Sequence, residues 1–324
     1  MQATHLAVLT SGGDAPGMNA AIRAVVRTAI HDGVKASFVY RGYQGLMDGD
    51  IEEVGPRSVA NIIQRGGTIL RTARADDFRT EEGRARAADN LRRHGIDALV
   101  VIGGDGSLKG ASLLHQEQGI QIMGIPGTID NDIYGTDVTI GFNTAMNIAV
   151  EAIDRLRDTA ASHDRLFLVE VMGRHSGHIA LNVGVAVGAE AILVPEVKPS
   201  VEEVAEALVA AAERGKQSSI VVVAEGAFPG GSLELEKQIT EISHQEVRTS
   251  ILGHVQRGGS PTTRDRVLAS RLGFVAVREL QKGADDVMIG VDRRGTSLTP
   301  LSEVTARSKD IDWQLLELAR VLAT

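Results

Sequence analysis

The chain has 324 residues, enough for about two domains of ordinary size. Hydrophobic residues make up 43% of it, which excludes a largely disordered chain, and 34 basic against 42 acidic residues give a net charge of −8, which argues against a general binder of nucleic acid or anionic membrane. There is no cysteine, so disulfide frameworks, thiolate zinc sites, iron–sulfur clusters and cysteine nucleophiles are all excluded.

The first element is the apolar run Leu6-Ala7-Val8-Leu9. Gly12, Gly13 and Asp14 follow at once, without the basic start and long apolar stretch of a signal peptide, so the expected compartment is the cytoplasm. Ile22, Val25, Val26 and Ala29 then recur at i, i+3, i+4 and i+7, which predicts a helix. Further strands are predicted at Ala98–Ile102, Ile122–Ile125, Leu166–Val171, Ala191–Val194 and Ile220–Ala224, with helical stretches such as Asn143–Arg157 and Val201–Arg214 between them. Arg79, Arg84, Arg86, Arg92 and Arg93 read as solvated charges on a helix. Near-continuous apolar strands alternating with helices predict an α/β fold, with mostly parallel, doubly wound sheets covered on both faces. No run is apolar enough over about 18 residues to span a membrane. Thr139–Asn143 and Gln256–Pro261 are the candidate places for the chain to pass between domains.

The unusual residues stand directly after predicted strands. These are Thr10-Ser11-Gly12-Gly13-Asp14, Gly103-Gly104-Asp105-Gly106-Ser107, Pro126-Gly127-Thr128-Ile129-Asp130-Asn131-Asp132, Met172-Gly173-Arg174 and Glu225-Gly226. In open α/β sheets ligands bind beyond the carboxyl ends of the strands. Glycine lets backbone N–H groups approach an anion, and a following helix N-terminus adds partial positive charge, so two such loops suit a polyphosphate. Asp105 between glycines reads as a Mg²⁺ contact or a helix N-cap, and the two are compatible. Asp130 and Asp132, two apart, share one side of an extended segment, where one can accept a hydroxyl proton and the other assist a metal. Arg74, Arg165, Arg174, Arg248 and Arg257 lie in turn-like or strand-end contexts, and guanidinium groups match phosphate geometry. His175 and His178 lack a third zinc ligand. The P-loop pattern and the protein-kinase motif set are both absent.

On these residues the chain resembles the bacterial ATP-dependent 6-phosphofructokinases. The matching runs are Leu9–Asn19, Gly103–Ser107, Pro126–Asp132, Val171–Arg174 and Gly253–Pro261, and they extend in the family's order to about residue 272. The resemblance implies two doubly wound domains, 1–141 plus 256–305 for nucleotide and 142–255 plus 306–324 for sugar phosphate, with the active site in a cleft between them. It implies ATP on Gly12, Tyr43, Arg74, Phe78, Arg79, Gly104, Asp105, Gly106, Ser107 and Gly110, with Mg²⁺ near Asp105. Fructose 6-phosphate would contact Thr128, Asp130, Met172, Gly173, Arg174, Glu225, His254 and Arg257. Arg165 and Arg248 match arginines that reach over from a neighbouring subunit, which implies a homotetramer with shared sites. Asp130 would be the base, assisted by Arg74, Arg174 and Thr128.

The same resemblance implies a site for ADP or phosphoenolpyruvate at Arg23, Arg27, Arg157, Glu190, Arg214 and Lys216. Here the chain departs from the pattern: Pro56 stands where an arginine is common, with Arg57 one place later, and Gln217 and Ser218 replace a frequent Lys-His pair. The nearest rival is a pyrophosphate-dependent phosphofructokinase, which typically has Asp and Lys where this chain has Gly106 and Gly127. An NAD or lipid kinase would share the Gly-Gly-Asp-Gly loop without Pro126–Asp132 or His254–Pro261.

Overall fold

The computed structural model describes residues 3–161, 166–197, 200–213 and 219–323. In chain order the strands are β1 (His5–Ser11), β2 (Lys35–Val39), β3 (Ile51–Val54), β4 (Ala98–Gly103), β5 (Gln121–Thr128), β6 (Ile140–Gly141), β7 (Leu166–Val171), β8 (Ala191–Leu193), β9 (Ser219–Ala224), β10 (Val247–Ile251), β11 (Val287–Asp292) and β12 (Gly295–Pro300). The chain divides into two compact units. The first comprises Met1–Ile129, Ile133–Thr144 and Arg257–Lys309, and the second comprises Asp130–Asp132, Ala145–Gln256 and Asp310–Thr324.

The first unit is built on an eight-stranded sheet of order β12-β11-β5-β4-β1-β2-β3, with β6 beside β5. Its centre is parallel, and β3 and β12 close the two edges antiparallel to β2 and β11. The parallel centre follows from the sequence. Every residue of β4 is buried, as expected of a strand covered on both faces, and Leu99 and Ile102 are each worth about 1.5–3 kcal/mol in burial. The helix Met18–His31 buries Ile22, Val25, Val26 and Ala29, as its periodicity predicts, and packs on the helix Thr263–Gln281. The two backbones come close at Gly273, where a Cβ would stand 2.7 Å from the Cβ of Ala24.

One buried carboxylate ties this unit together. Asp265 accepts from the N–H of Gly141 at 3.0 Å and from the N–H and hydroxyl of Thr144 at 2.8 and 2.5 Å, so it caps the incoming turn of the helix Phe142–Ala161. Burial pushes its pKa up, against the pull of those donors and of Thr262.

The second unit carries a four-stranded, wholly parallel sheet of order β10-β7-β9-β8. β9 is buried throughout, whereas β10, at the edge, is only partly covered and exposes Arg248 and Ile251. No helix among the described residues is long and apolar enough to cross a membrane.

Candidate active site

In the first unit the ends of β1, β4 and β5 lie side by side, because these strands are neighbours in register: Ser11 pairs with Gly103, and Gly103 with Pro126. Beyond them the two glycine loops converge. Gly12 has φ +82°, a left-handed backbone that suits glycine, and a Cβ there would stand 3.1 Å from the Ser107 hydroxyl. The helix Asp105–Gln118 begins at this point, so its N-terminus and first free N–H groups face the loops. Tyr43 donates its hydroxyl to the Ser107 carbonyl at 2.5 Å and stacks on Phe78 with ring centroids 3.9 Å apart. Burial pushes the Tyr43 phenol well above its ordinary pKa, so it stays a neutral donor. Gly110 makes room for this pair, since a Cβ there would lie 3.1 Å from Phe78 and 3.2 Å from Tyr43. Thr128 stands 3.8 Å from the Cβ position of Gly104, and its carbonyl accepts from Thr139 at 2.6 Å. Gly12, Tyr43, Phe78, Gly104, Ser107, Gly110 and Thr128 therefore come together, with Asp105 and Gly106 on the first turn of the helix.

Asp105 is exposed to solvent on that turn, and its partial burial raises its pKa while Lys109 opposes the shift. Gly106 has no neighbour among the described residues within 4 Å of its Cβ position, whereas Gly127 is enclosed by Ile102 and Met18 at 3.0 and 3.2 Å. Arg74 and Arg79 are exposed, the latter 3.9 Å from Asp76.

In the second unit the segment after β7 is fixed by its backbone. Glu225 donates its N–H to Val171 O at 2.9 Å and Gly226 to Gly173 O at 3.1 Å, and a side chain on Gly226 would collide with the Arg174 carbonyl. Gly173 itself has φ +140°. Met172 donates its N–H to Gln256 at 2.7 Å, and the Ser176 hydroxyl donates to the Asp130 carbonyl at 2.8 Å. Asp130, Met172, Gly173, Arg174 and Glu225 are thus held in this unit, with Arg174, Glu225 and His254 exposed. Arg257 belongs to the first unit. Its Nη1 donates to Asp14 O at 3.2 Å and lies over Gly13, where a Cβ would be 2.6 Å from it.

Residues 5–280 match the family model described as Phosphofructokinase. The chain belongs to the phosphofructokinase family. It is 59% identical over 319 residues to ATP-dependent 6-phosphofructokinase 1 of Thermus thermophilus, covering 98% of this chain and 99% of that one. It is 50% identical to ATP-dependent 6-phosphofructokinase 2 of Bacteroides thetaiotaomicron, covering 98% of each. Among solved structures it resembles phosphofructokinase from Saccharomyces cerevisiae with a TM-score of 0.88 and 39% identity, covering 94% of this chain and 45% of that chain. It shares its fold with a pyrophosphate-dependent phosphofructokinase from Marinobacter aquaeolei, at a TM-score of 0.85 and 23% identity, over 98% of this chain and 91% of that one.

The remaining described residues expected from the likeness to phosphofructokinases are found in both units. Arg248 is exposed on β10 and pairs with Glu246. Arg23 is half-buried and Arg27 exposed on one helix of the first unit, and burial lowers the Arg23 pKa with Arg27 adding to the effect. In the second unit Arg157 donates to Val187 O, and buried Glu190 accepts the N–H of Ile220 at 2.5 Å. Arg165, Arg214 and Lys216, with Gln217 and Ser218, lie outside the described residues.

One expectation is corrected. Arg84 is not a solvated charge but is only 6% exposed. Its Nε and Nη2 bind both carboxylate oxygens of Glu117 at 2.6 Å, and its Nη1 donates to the carbonyls of Phe78 and Arg79 at 3.0 and 2.8 Å. The single arginine thus fixes the turn that carries Phe78. Its place beside Glu81, Glu82 and Arg86 on a charged helix gave no sign of burial, because the carboxylate that pairs with it is 33 residues away. Asn19 is a second buried residue that sequence reasoning passed over. It donates to the carbonyls of Arg65 and Gly66 at 3.0 and 3.2 Å and accepts from Ile69 at 2.8 Å, holding the loop that leads to Arg74.

Proposed function

We propose that this phosphofructokinase-family protein transfers the γ-phosphoryl group of ATP to the 1-hydroxyl of fructose 6-phosphate. The observation that carries the proposal is the convergence of two glycine loops, at the ends of adjacent parallel strands, on the N-terminus of the helix Asp105–Gln118. Such a site offers backbone donors and a helix dipole to a polyphosphate. The 59% identity to a relative named for ATP-dependent 6-phosphofructokinase activity supports ATP as the donor.

The residues have separate tasks. Asp130 takes the proton from the sugar 1-hydroxyl as its oxygen attacks the γ-phosphorus, and the bond to the β–γ bridging oxygen breaks to release ADP. Arg74 and Arg174 stabilise the charge on the transferring group, with Thr128 beside the loop positioning it. Glu225 accepts hydrogen bonds from sugar hydroxyls. His254 and Arg257, with Arg165 and Arg248 of a neighbouring copy in a homotetramer, anchor the 6-phosphate. Arg257 uses only one nitrogen of its fork on Asp14, so the role asks it to turn its remaining donors to the ligand.

Mg²⁺ fits the donors present. Mg²⁺ usually takes one or two carboxylates plus phosphate oxygens and water, and Asp105 offers an exposed carboxylate where the polyphosphate would lie, with no cluster of three or more candidate ligands among the described residues. Held there with ATP, it would neutralise charge on the β- and γ-phosphates. ADP or phosphoenolpyruvate would act as effectors at Arg23, Arg27, Arg157 and Glu190.

The test is a coupled assay of the purified protein on fructose 6-phosphate, comparing ATP with pyrophosphate. Turnover with ATP and Mg²⁺ but not with pyrophosphate is expected. A preference for pyrophosphate, or no product with ATP, overturns the proposal.

A further inference from the structure

We propose that Gln256 is the positioning residue for sugar-phosphate recognition, locking the strand-end segment Met172–Arg174 to the turn that carries His254; this rests on the function proposed above. Gln256 has no exposed surface, although its neighbour Val255 is 63% exposed. The ladder between β7 and its two neighbours ends at Glu170–Ile251 and Val171–Ala224. Just past those pairs, Leu252 still donates to Glu170 O and Glu225 to Val171 O. The N–H of Met172 is the next donor, one residue beyond the last pair, where no strand remains to take it. The Gln256 Oε1 takes it at 2.7 Å. One side chain thus adds a final rung to the sheet at the residue where the sugar-binding segment begins.

The amide is held in one orientation. Turned by 180°, its NH₂ would face the Met172 N–H, donor against donor. In the orientation adopted, Nε2 is buried with no hydrogen-bond partner among the described residues. A buried donor without an acceptor costs stability, and an apolar side chain of like volume would avoid that cost. The oxygen, bonded to the Met172 N–H, is the atom through which this amide acts. Loss of that oxygen frees Met172, Gly173 and Arg174 relative to His254, two residues before Gln256. Gln256 and the segment it holds belong to the second unit and the glycine loops to the first, so the effect falls on the sugar phosphate and not on ATP.

Gln256→Met keeps the volume and removes the acceptor; Gln256→Glu keeps the acceptor. For Gln256→Met the KM for fructose 6-phosphate is expected to rise about tenfold, the effect of one hydrogen bond, and kcat to fall because Arg174 is loosened with the segment, while the KM for ATP stays within about twofold. Amide hydrogens of Met172–Arg174 should exchange about tenfold faster in the same variant, measured without substrate. Gln256→Glu should return both readouts to within about threefold of wild type. A Gln256→Met enzyme with unchanged fructose 6-phosphate KM overturns the proposal, as do equal changes in both KM values or fast exchange spread through the whole second unit. If Gln256→Met does not fold, Gln256→Glu decides: lost sugar-phosphate affinity with the acceptor retained overturns it. Absence of ATP-dependent turnover in the wild type counts against the proposed function instead, and the exchange experiment still reads the lock.

Discussion

Replacing Arg84 by methionine tests how the nucleotide side of the site is held. Methionine fills similar space but removes the charge and the bonds to Glu117, Phe78 and Arg79. Glu117 is then left with a side chain 23% exposed and without its bidentate cation. Removing one partner of a buried ion pair costs about 3–5 kcal/mol, and the partial exposure of Glu117 places this case at about 3. Arg84→Lys keeps a positive charge, but one nitrogen cannot span two carboxylate oxygens and two carbonyls, so a loss of about 1–2 kcal/mol is expected. Because the two units need not unfold together, native-state hydrogen exchange over residues 77–93 and 105–118 is the appropriate assay. The KM for ATP should rise several-fold in Arg84→Met, with the KM for fructose 6-phosphate unchanged. A change in local opening free energy below about 1 kcal/mol, or equal losses in the lysine and methionine variants, would refute the reasoning.

Asp130→Asn keeps the shape and removes the base, so kcat should fall by roughly 10²–10⁴ in steady-state assays while sugar-phosphate binding changes little; a fall under about tenfold excludes the assignment. Gly106→Asp puts a carboxylate into space where no atom of the described residues lies within 4 Å, so thermal melting should be unchanged while the KM for ATP rises at least about tenfold through repulsion of phosphate; an unaltered KM argues that polyphosphate does not bind at that turn. Burial raises the folded pKa of Asp265 above its ordinary 3.8, so the folded chain holds this proton longer. The stability contributed by this group is therefore fully present below that value and is lost as pH rises through the raised one. Asp265→Asn should flatten this part of the pH dependence of the urea midpoint, and identical slopes in both proteins would contradict it.

The strands that could be read from sequence were the mostly apolar ones, whether central like β4 or at an edge like β8. β1, β4, β5, β7, β8 and β9 are short apolar runs, and each appears within a few residues of its expected place. β3 and β10 were not legible because their residues are mixed: Glu52 and Glu53 face solvent, and Val247–Ile251 mixes apolar with polar residues. β11 and β12 form an antiparallel pair whose pattern is broken by Gly290 and Gly295. At the site, glycine, carboxylate and arginine after a strand gave direct chemical signals. Tyr43, Phe78 and Gly110 entered only through family resemblance, because their meeting depends on packing between segments far apart in sequence. Arg84, Asn19 and Gln256 were illegible for the same reason: a polar side chain does not announce that its partners will bury it.

The interleaved division of the chain sets a timetable for its synthesis. β11 pairs with Met123 and Gly124 of β5, but it emerges roughly 160 residues after β5. At 5–20 residues per second, the edge of β5 waits about 8–30 s on the ribosome for its neighbour, while most of the second unit is made. During that interval Ile122, Met123 and Ile125 border an open, unfinished sheet of the kind that recruits foreign strands. The nascent chain is most vulnerable at this stage, so slowing translation between residues 130 and 287 should lower the yield of native protein more than slowing it after residue 300.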